Sequence, residues 1–329
     1  MKAWLWDGNP GVQHLRLDEA PDPPAAEGEV VMEVHYAALS QGDRMLLDKV
    51  YPYPVYPPPP HVLGRDGVGT IIDVGDGVDD VHVGDRRVIL RGDTGLTRWG
   101  SLAERVSLPA ANLVDIPDGW TEEQASGATL NYLSAYFALT LWEPLTPGSV
   151  VLITGASGGV GVAATQLASA LGHTVVALSR SEEKQQRLKD IGATFTFDAS
   201  DENLRAKVKD AVGPHGVNMV IDNLGGRLLL DVIDTLGEQG RVSLIGNLLG
   251  PVPEFDTGIL FSRRIRVAPM ALNYYTVGEK HAAWKEVVAI MARSGARPEV
   301  DHVFAFTELP QAFQRLIAGP MGKVVIKIG

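Results

Sequence analysis

The chain contains no cysteine. That absence excludes disulfides, thiolate nucleophiles and every cysteine-based metal site together. Lysine and arginine nowhere gather into a basic patch, and the formal net charge is −11. A nucleic-acid partner is therefore not expected. Long apolar runs are missing too. The most apolar stretch, Ala128 to Trp142, is interrupted by Asn131, Ser134 and Thr140, so it reads as a buried helix rather than a membrane span. Met1 to Asp7 has no apolar signal core, and with no cysteine the expected compartment is the reducing cytoplasm. What is present is ample for folding: 329 residues, 45% of them hydrophobic, suit about two domains. The 36 glycines and 21 prolines are dispersed, as in turn-rich globular structure rather than disorder.

One stretch organises the rest. Val150 to Ile153 is a short apolar, β-branched run, the pattern of a buried parallel strand. It breaks at Gly155, Gly158, Gly159 and Gly161. A helix follows, with Val160, Ala163, Ala164, Leu167, Ala168 and Leu171 on one face. Strand, glycine turn and helix form the context of a dinucleotide fingerprint. The pattern here is Ala156-x-Gly158-x-x-Gly161, with alanine at the first of the three usual glycine positions. Gly158 would let the backbone approach a pyrophosphate, and Gly161 would let the helix pack on the strand. The turn Ala156, Ser157, Gly158, Gly159 and Val160 then presents N–H groups and roughly half a positive charge to the phosphates. The competing reading is a tight turn into any helix of an α/β protein.

The flanks bear on that choice. The first 115 or so residues read as β, with strands expected at Glu29–Leu39, Val68–Val74, Arg86–Leu90 and Leu102–Val106. Gly and Asp turns separate them, which suggests a compact barrel-like domain. Tyr51 to Pro60 carries four consecutive prolines, favouring polyproline II in a stiff surface loop over a ligand for a proline-reading domain. From Thr121 a helix is expected to run to Trp142. Beyond the fingerprint, strands at Thr174–Ser179, Phe195–Phe197, Val217–Asp222, Arg241–Ile245 and Ile265–Met270 alternate with helices starting near Glu182, Asn203, Arg227 and Asp256. That alternation specifies an α/β fold with a doubly wound parallel sheet, a Rossmann domain. A helix from Val277 to Ser294, a strand at Val303–Phe306, a short helix and a strand at Lys323–Ile328 would complete the β domain.

The second Rossmann strand indicates the cofactor. An NAD site usually carries an acidic residue there for the ribose hydroxyls. This strand ends in Ser179-Arg180-Ser181, with Lys184 one turn on and no carboxylate before Glu182. Hydroxyls and a guanidinium suit a 2′-phosphate, so NADP(H) is expected. Arg180 and Lys184 read otherwise as solvated residues of a helix start, although the dipole disfavours a cation at Lys184.

The whole chain resembles the medium-chain dehydrogenase/reductase superfamily, and within it the zinc-independent quinone oxidoreductase (zeta-crystallin-like) branch. The residues carrying this resemblance are Gly28 to Val34, Asp43, Gly64-Arg-Asp-Gly-Val-Gly69, Val83 to Val88, Thr129 with Ala135 to Leu139, Gly155 to Gly161, Gly192-Ala193, Asp222 and Gly322 to Val325. The resemblance implies a GroES-like β-rich catalytic domain over 1–118 and 276–329, interrupted by a Rossmann domain over 119–275, with a cleft for hydride transfer. Zinc-dependent members carry Cys where this chain has Ser40, and Gly-His-Glu where it has Gly64-Arg65-Asp66. A substitute metal set of His35, Asp43, His61 and Asp66 follows no metal spacing. The implied activity is therefore zinc-free, NADPH-dependent reduction of a quinone or an α,β-unsaturated carbonyl. An enoyl-thioester reductase and a zinc-free alcohol dehydrogenase are the alternatives. A non-catalytic NADPH-binding sensor or structural protein is the reading from another class.

The same resemblance implies the site residues. Ser40, Gln41, Arg44 and Tyr51 are the candidates for polarising the substrate carbonyl. Arg65 would pair with Asp43 or Asp66. Thr129, Asn223, Leu224, Asn247, Leu248, Met270 and Asn273 would contact the cofactor, while Ala199 takes the place of a tyrosine that relatives often set against the adenine. Relatives commonly dimerise through the last Rossmann strand, here Ile265 to Met270, so a homodimer is expected.

Overall fold

Gly28 and Ser40 bracket eleven residues of alternating and β-branched character, and these form the longest strand of the first sheet. The computed structural model describes residues 1–51, 56–251 and 254–329. The chain divides into two compact units: Met1–Leu130 with Thr276–His281 and Pro298–Gly329, and Asn131–Tyr275 with Ala282–Arg297.

In the first unit the elements run Lys2–Trp6 (β1), Leu15–Glu19 (β2), Glu29–Leu39 (β3), Gln41–Leu47 (α1), His61–Val62 (β4), Asp66–Val74 (β5), Arg86–Ile89 (β6), Arg105–Pro109 (β7), Leu113–Asp115 (β8) and Glu122–Ala125 (α2). Strand β3 pairs antiparallel with β5 along one edge, and with β7 from Glu29 to Glu33. Val30, Met32 and Val34 are almost wholly buried in the core with Leu39, Ile71, Ile89 and Leu108. A smaller antiparallel sheet has the order β2-β1-β4.

Two expectations shift here. The helix expected from Thr121 to Trp142 is broken into α2 and Ala128–Thr140 (α3). An added Cβ at Gly127, in the break, would sit 2.5 Å from the Lys323 side chain and 2.8 Å from the Ala38 Cβ, so glycine is required by close approach. The strand expected at Leu102–Val106 is β7, three residues later. Leu102 instead bonds through its N–H to the Leu63 carbonyl and through its carbonyl to the Trp4 N–H. The polyproline II expectation over Pro52 to Val55 lies outside the described residues, and Pro57 to Pro60 form no regular element.

The second unit runs Val150–Ile153 (β9), Gly159–Ala170 (α4), Thr174–Leu178 (β10), Glu182–Asp190 (α5), Phe195–Phe197 (β11), Leu204–Val212 (α6), Val217–Asp222 (β12), Leu228–Asp234 (α7), Leu236–Leu244 (β13), Gly258–Arg263 (α8) and Arg266–Pro269 (β14). The sheet order is β11-β10-β9-β12-β13-β14, and every pairing is parallel. Strand β9 thus sits where the winding reverses, the switch point at which open α/β sheets bind ligands. Leu152, Val176, Val220, Val232 and Val242 are buried in its core.

The remaining elements are Val277–Ser294 (α9), Val300–Ala305 (β15), Leu309–Ala318 (α10) and Lys323–Lys327 (β16). Strand β16 pairs antiparallel with Tyr36 to Leu39 of β3 and parallel with β15. The seven-stranded sheet of the first unit is thereby completed from the far end of the chain. The units do not follow the expected limits of 1–118 plus 276–329 and 119–275. Residues 119–130 belong with the first unit, where the Thr129 hydroxyl donates to the Ile89 carbonyl at 2.7 Å. Residues 282–297 belong with the second, where Gln166 Nε2 donates to the Arg297 carbonyl at 2.8 Å.

Candidate active site

The glycine turn of the second unit has the shape its sequence specifies. Gly155 takes a φ of 57°, which a residue without a Cβ adopts freely. Gly158 caps α4 with no side-chain hydrogen bond, so the first turn is not closed by its own cap. A Cβ added at Gly161 would overlap the Gly155 carbonyl oxygen, whereas at Gly158 it would meet only that oxygen, at 3.4 Å. Gly161 is therefore needed for packing, and Gly158 leaves open space in front of the helix. Ala156 is fully buried, and its N–H donates to the Leu178 carbonyl at 3.2 Å. Ser157, Gly159 and Val160 are partly exposed around the same turn.

At the end of β10, Ser179 is buried and its Oγ accepts from the Ser181 N–H at 3.5 Å. Ser181 caps α5 by accepting from the Lys184 N–H at 3.4 Å. Arg180 is exposed. The neighbouring carboxylates Glu182 and Glu183 lie in the first turn of α5, where the helix dipole favours them. These residues fit a nicotinamide dinucleotide: a glycine-lined helix start for its phosphates and a ribose end with hydroxyls and a guanidinium.

Other expected cofactor residues have structural duties. Asn223 donates from its Nδ2 to the Thr154 carbonyl at 2.8 Å. Its neighbour Asp222 is fully buried, and accepts from Thr154 Oγ1 at 2.6 Å and from the Gly225 N–H at 2.9 Å. Burial nonetheless raises the Asp222 pKa above its ordinary value. Leu224 packs against Gly155, within 3.1 Å of the position a Cβ would take there. Asn247 packs against Gly225, and Leu248 is exposed. Met270 and Thr129 are buried, at 4% and 0% exposure. With its hydroxyl hydrogen given to Ile89, Thr129 offers no donor to a ligand in this structure.

In the first unit, Ser40 caps α1. Its Oγ donates to Asp43 Oδ2 at 2.5 Å and accepts from Arg65 Nη2 at 3.2 Å. Arg65 also pairs through Nε with Asp43 at 3.3 Å, and donates from Nη1 to the Tyr51 phenol oxygen at 3.0 Å. Its guanidinium lies 5.3 Å from the Tyr51 ring centre. A Cβ added at Gly42 would land on Arg65 Nη2, so Gly42 makes the room this guanidinium fills. Burial works against the Arg65 charge, but Asp43, Tyr51 and Asp66 outweigh it and raise its pKa. Of the two open partners for Arg65, the structure selects Asp43. Asp66 pairs instead with Lys323 Nζ at 2.7 Å.

Two expected candidates point elsewhere. Gln41 donates to the Leu316 carbonyl on α10 at 3.4 Å, and Arg44 pairs with Asp48 at 3.5 Å. Neither side chain bonds to the Ser40–Arg65 network among the described residues. Ser40 has spent its hydrogen on Asp43, so its visible role is to hold Arg65. Tyr51 remains in the network.

A metal does not fit these residues. The Arg65 guanidinium occupies the space beside Ser40, and a fixed cation there opposes a second one. His35 pairs with Glu122 at 2.9 Å and with Thr70 at 3.2 Å. Burial lowers the His61 pKa to about 4. No group of three or more His, Cys, Asp or Glu residues that could hold a metal ion occurs among the described residues.

Sequence reasoning missed Arg91, which follows β6. It is 3% exposed, and its Nη1 donates to the Gly92 carbonyl at 2.6 Å. Burial, then the charge of Arg65, pull its pKa down to about 10, with Tyr51, Asp66 and Asp43 acting in the other direction. It is therefore close to the Arg65 network, and still charged at neutral pH. Only its position after a strand distinguished it in the sequence.

Known proteins align with this arrangement over its whole length. The alcohol dehydrogenase GroES-like domain profile matches residues 26–118, and the zinc-binding dehydrogenase profile matches residues 159–293. A two-unit oxidoreductase with a nicotinamide cofactor is the class so defined. The chain belongs to the medium-chain dehydrogenase/reductase superfamily, in its quinone oxidoreductase-like branch. A synaptic vesicle membrane protein VAT-1 homolog of Rattus norvegicus is 34% identical, the match covering 100% of this chain and 84% of the relative. A quinone oxidoreductase of Pseudomonas aeruginosa is 30% identical, with 90% of each chain covered. Among solved structures, a mycobacterial protein complexed with NADPH is 27% identical with a TM-score of 0.88, covering 100% of both chains.

Proposed function

We propose that the chain is an NADPH-dependent, zinc-free reductase of quinones or α,β-unsaturated carbonyls. The observation that carries this reading is the Arg65 network: the Ser40 hydroxyl and the Arg65 guanidinium, at the positions where zinc-dependent members carry Cys and His, are bonded to each other and to Asp43 and Tyr51. Without a Lewis acid to lower the pKa of an alkoxide, alcohol oxidation loses its usual assistance. An electron-poor C=C or quinone needs less help, because a hydrogen-bond donor suffices for the charge that gathers on its carbonyl oxygen.

When bound, the reduced nicotinamide supplies a hydride from its C4. Tyr51 is assigned to donate to the substrate carbonyl oxygen, and Arg65 orients the phenol by donating to its oxygen. Asp43 and Ser40 keep Arg65 in place. Solvent delivers the proton that completes the saturated carbonyl or the quinol. Ser179 and Arg180 are assigned to the 2′-phosphate, and the Ala156–Val160 turn to the pyrophosphate. The homologous quinone oxidoreductase and the NADPH-bound structure support the same reading.

NADPH oxidation with 1,2-naphthoquinone, 9,10-phenanthrenequinone, simple enones and an acryloyl thioester tests it. Turnover of quinones or enones that survives prior chelation is expected. Preference for the thioester alone would support the enoyl-thioester alternative, and NADPH binding without turnover would support an idle module. Arg180→Asp is expected to lower the NADPH-over-NADH ratio of kcat/KM about tenfold or more, the loss of one charge-assisted contact. An unchanged ratio refutes the 2′-phosphate assignment.

A further inference from the structure

Lys280 lies in the first turn of α9, in the same unit as Arg91. It is 6% exposed, and its ammonium has no hydrogen-bond or ion-pair partner among the described residues. The adjacent acid, Glu279, is engaged by Thr276, whose N–H and Oγ1 both donate to it at 2.7 Å. Arg91 likewise has no carboxylate at ion-pair distance among the described residues, and its one hydrogen bond goes to the neighbouring Gly92 carbonyl.

The chain neighbours of both cations are anchored to the same short turn, Ala110–Asn112. The Leu90 N–H donates to the Asn112 carbonyl at 2.8 Å, and His281 Nε2 donates to the Ala111 carbonyl at 2.8 Å. The residues flanking Arg91 and Lys280 are thus fixed side by side. Burial lowers the Lys280 pKa, and the charge of Arg91 lowers it further. Glu279 acts in the other direction, but its carboxylate is held in the capping box that closes the start of α9, where the Glu279 N–H in turn donates to Thr276 Oγ1 at 3.2 Å. A buried cation with no ion-pair partner is costly. One bound anion would satisfy both cations together.

We propose that Arg91 and Lys280 form an anion subsite that takes a carboxylate or phosphate carried by the electrophile. This inference rests on the reductase reading and narrows its substrates to quinones or enones bearing an acidic group. Arg91 would place that group near Arg65, whose charge already bears on Arg91, and so near Tyr51, to which Arg65 donates. Arg91 supplies planar paired donors and Lys280 a point charge.

Turnover of β-acetylacrylate and of its methyl ester with NADPH tests the subsite. The wild type is expected to favour the acid in kcat/KM, and Arg91→Gln and Lys280→Gln should each lower the acid-over-ester ratio about tenfold or more. A wild type indifferent to the charge, or a ratio that both variants retain, overturns the proposal. Loss of NADPH affinity in the variants with that ratio intact assigns the cations to the cofactor's phosphates and overturns it as well. A second measurement needs no turnover: levulinate should raise the wild-type Tm, methyl levulinate should not, and both variants should lose the rise. A rise kept in both variants, or absent from the wild type, counts against the subsite. Failure of the reductase reading looks different, since neither ester nor acid would then oxidise NADPH, and the levulinate shift would still decide the anion site.

Discussion

His61 is 2% exposed, and its Nε2 has no hydrogen-bond partner among the described residues. Burial moves its pKa from 6.5 to about 4, against a small opposing effect of the Gly95 backbone. Between those values the unfolded chain takes up a proton that the folded chain refuses. Stability contributed by the neutral ring is therefore fully present above pH 6.5 and falls as pH falls towards about 4. The loss is on the order of 3 kcal/mol. Urea unfolding across this range should show a shallower decline for His61→Gln than for the wild type, and parallel curves would rule out His61 as the cause. At this scale the sequence revealed residue types better than partners. Arg65 had two acids nearby in the chain, and only folding sets Asp43 against it. Lys323, which neutralises Asp66, is too distant in sequence to be paired by inspection. Arg91 and Lys280 look like ordinary turn and helix residues until both are seen buried without carboxylates.

The glycines of the turn before α4 differ in what a methyl group would meet. Gly158→Ala adds a Cβ whose nearest neighbour is 3.4 Å away, and its φ of −73° suits alanine. The folded state should keep its Tm, while the affinity for NADPH falls about tenfold or more as the methyl enters the phosphate space. Gly161→Ala would drive its Cβ into the Gly155 carbonyl oxygen, so it should lower stability by about 1–3 kcal/mol. Calorimetry with and without NADPH separates the two. Equal loss of Tm in both variants would mean that Gly158 too is a packing residue. Elements were legible where local pattern decides them: β3, β11, β12 and α9 fall at the expected residues. The break between α2 and α3 was not legible, because Gly127 is required by Ala38 and Lys323, a tertiary contact. Strand β7 was displaced because Leu102 is drawn to Leu63 and Trp4.

At the scale of the whole molecule, a homodimer through β14 is proposed. This strand is the edge of the six-stranded sheet, and Phe261 on the helix before it is 82% exposed. An unpaired edge beside an exposed aromatic favours pairing with a second copy across a twofold axis. Pro269 removes one donor at the strand's end. Sedimentation velocity at micromolar concentration should give a dimer, and a monomer would refute the proposal. No helix among the described residues is long and apolar enough to cross a membrane.

The pairing of Leu39 with Val324 also sets an order of events during synthesis. All strands of the parallel sheet have been made once Pro269 is added, whereas β3 must wait for Lys323–Lys327. Until those residues leave the ribosome, part of the β3 edge has no partner and the Asp66 carboxylate lacks its ion pair with Lys323. The unit that begins the chain is therefore the last to be completed.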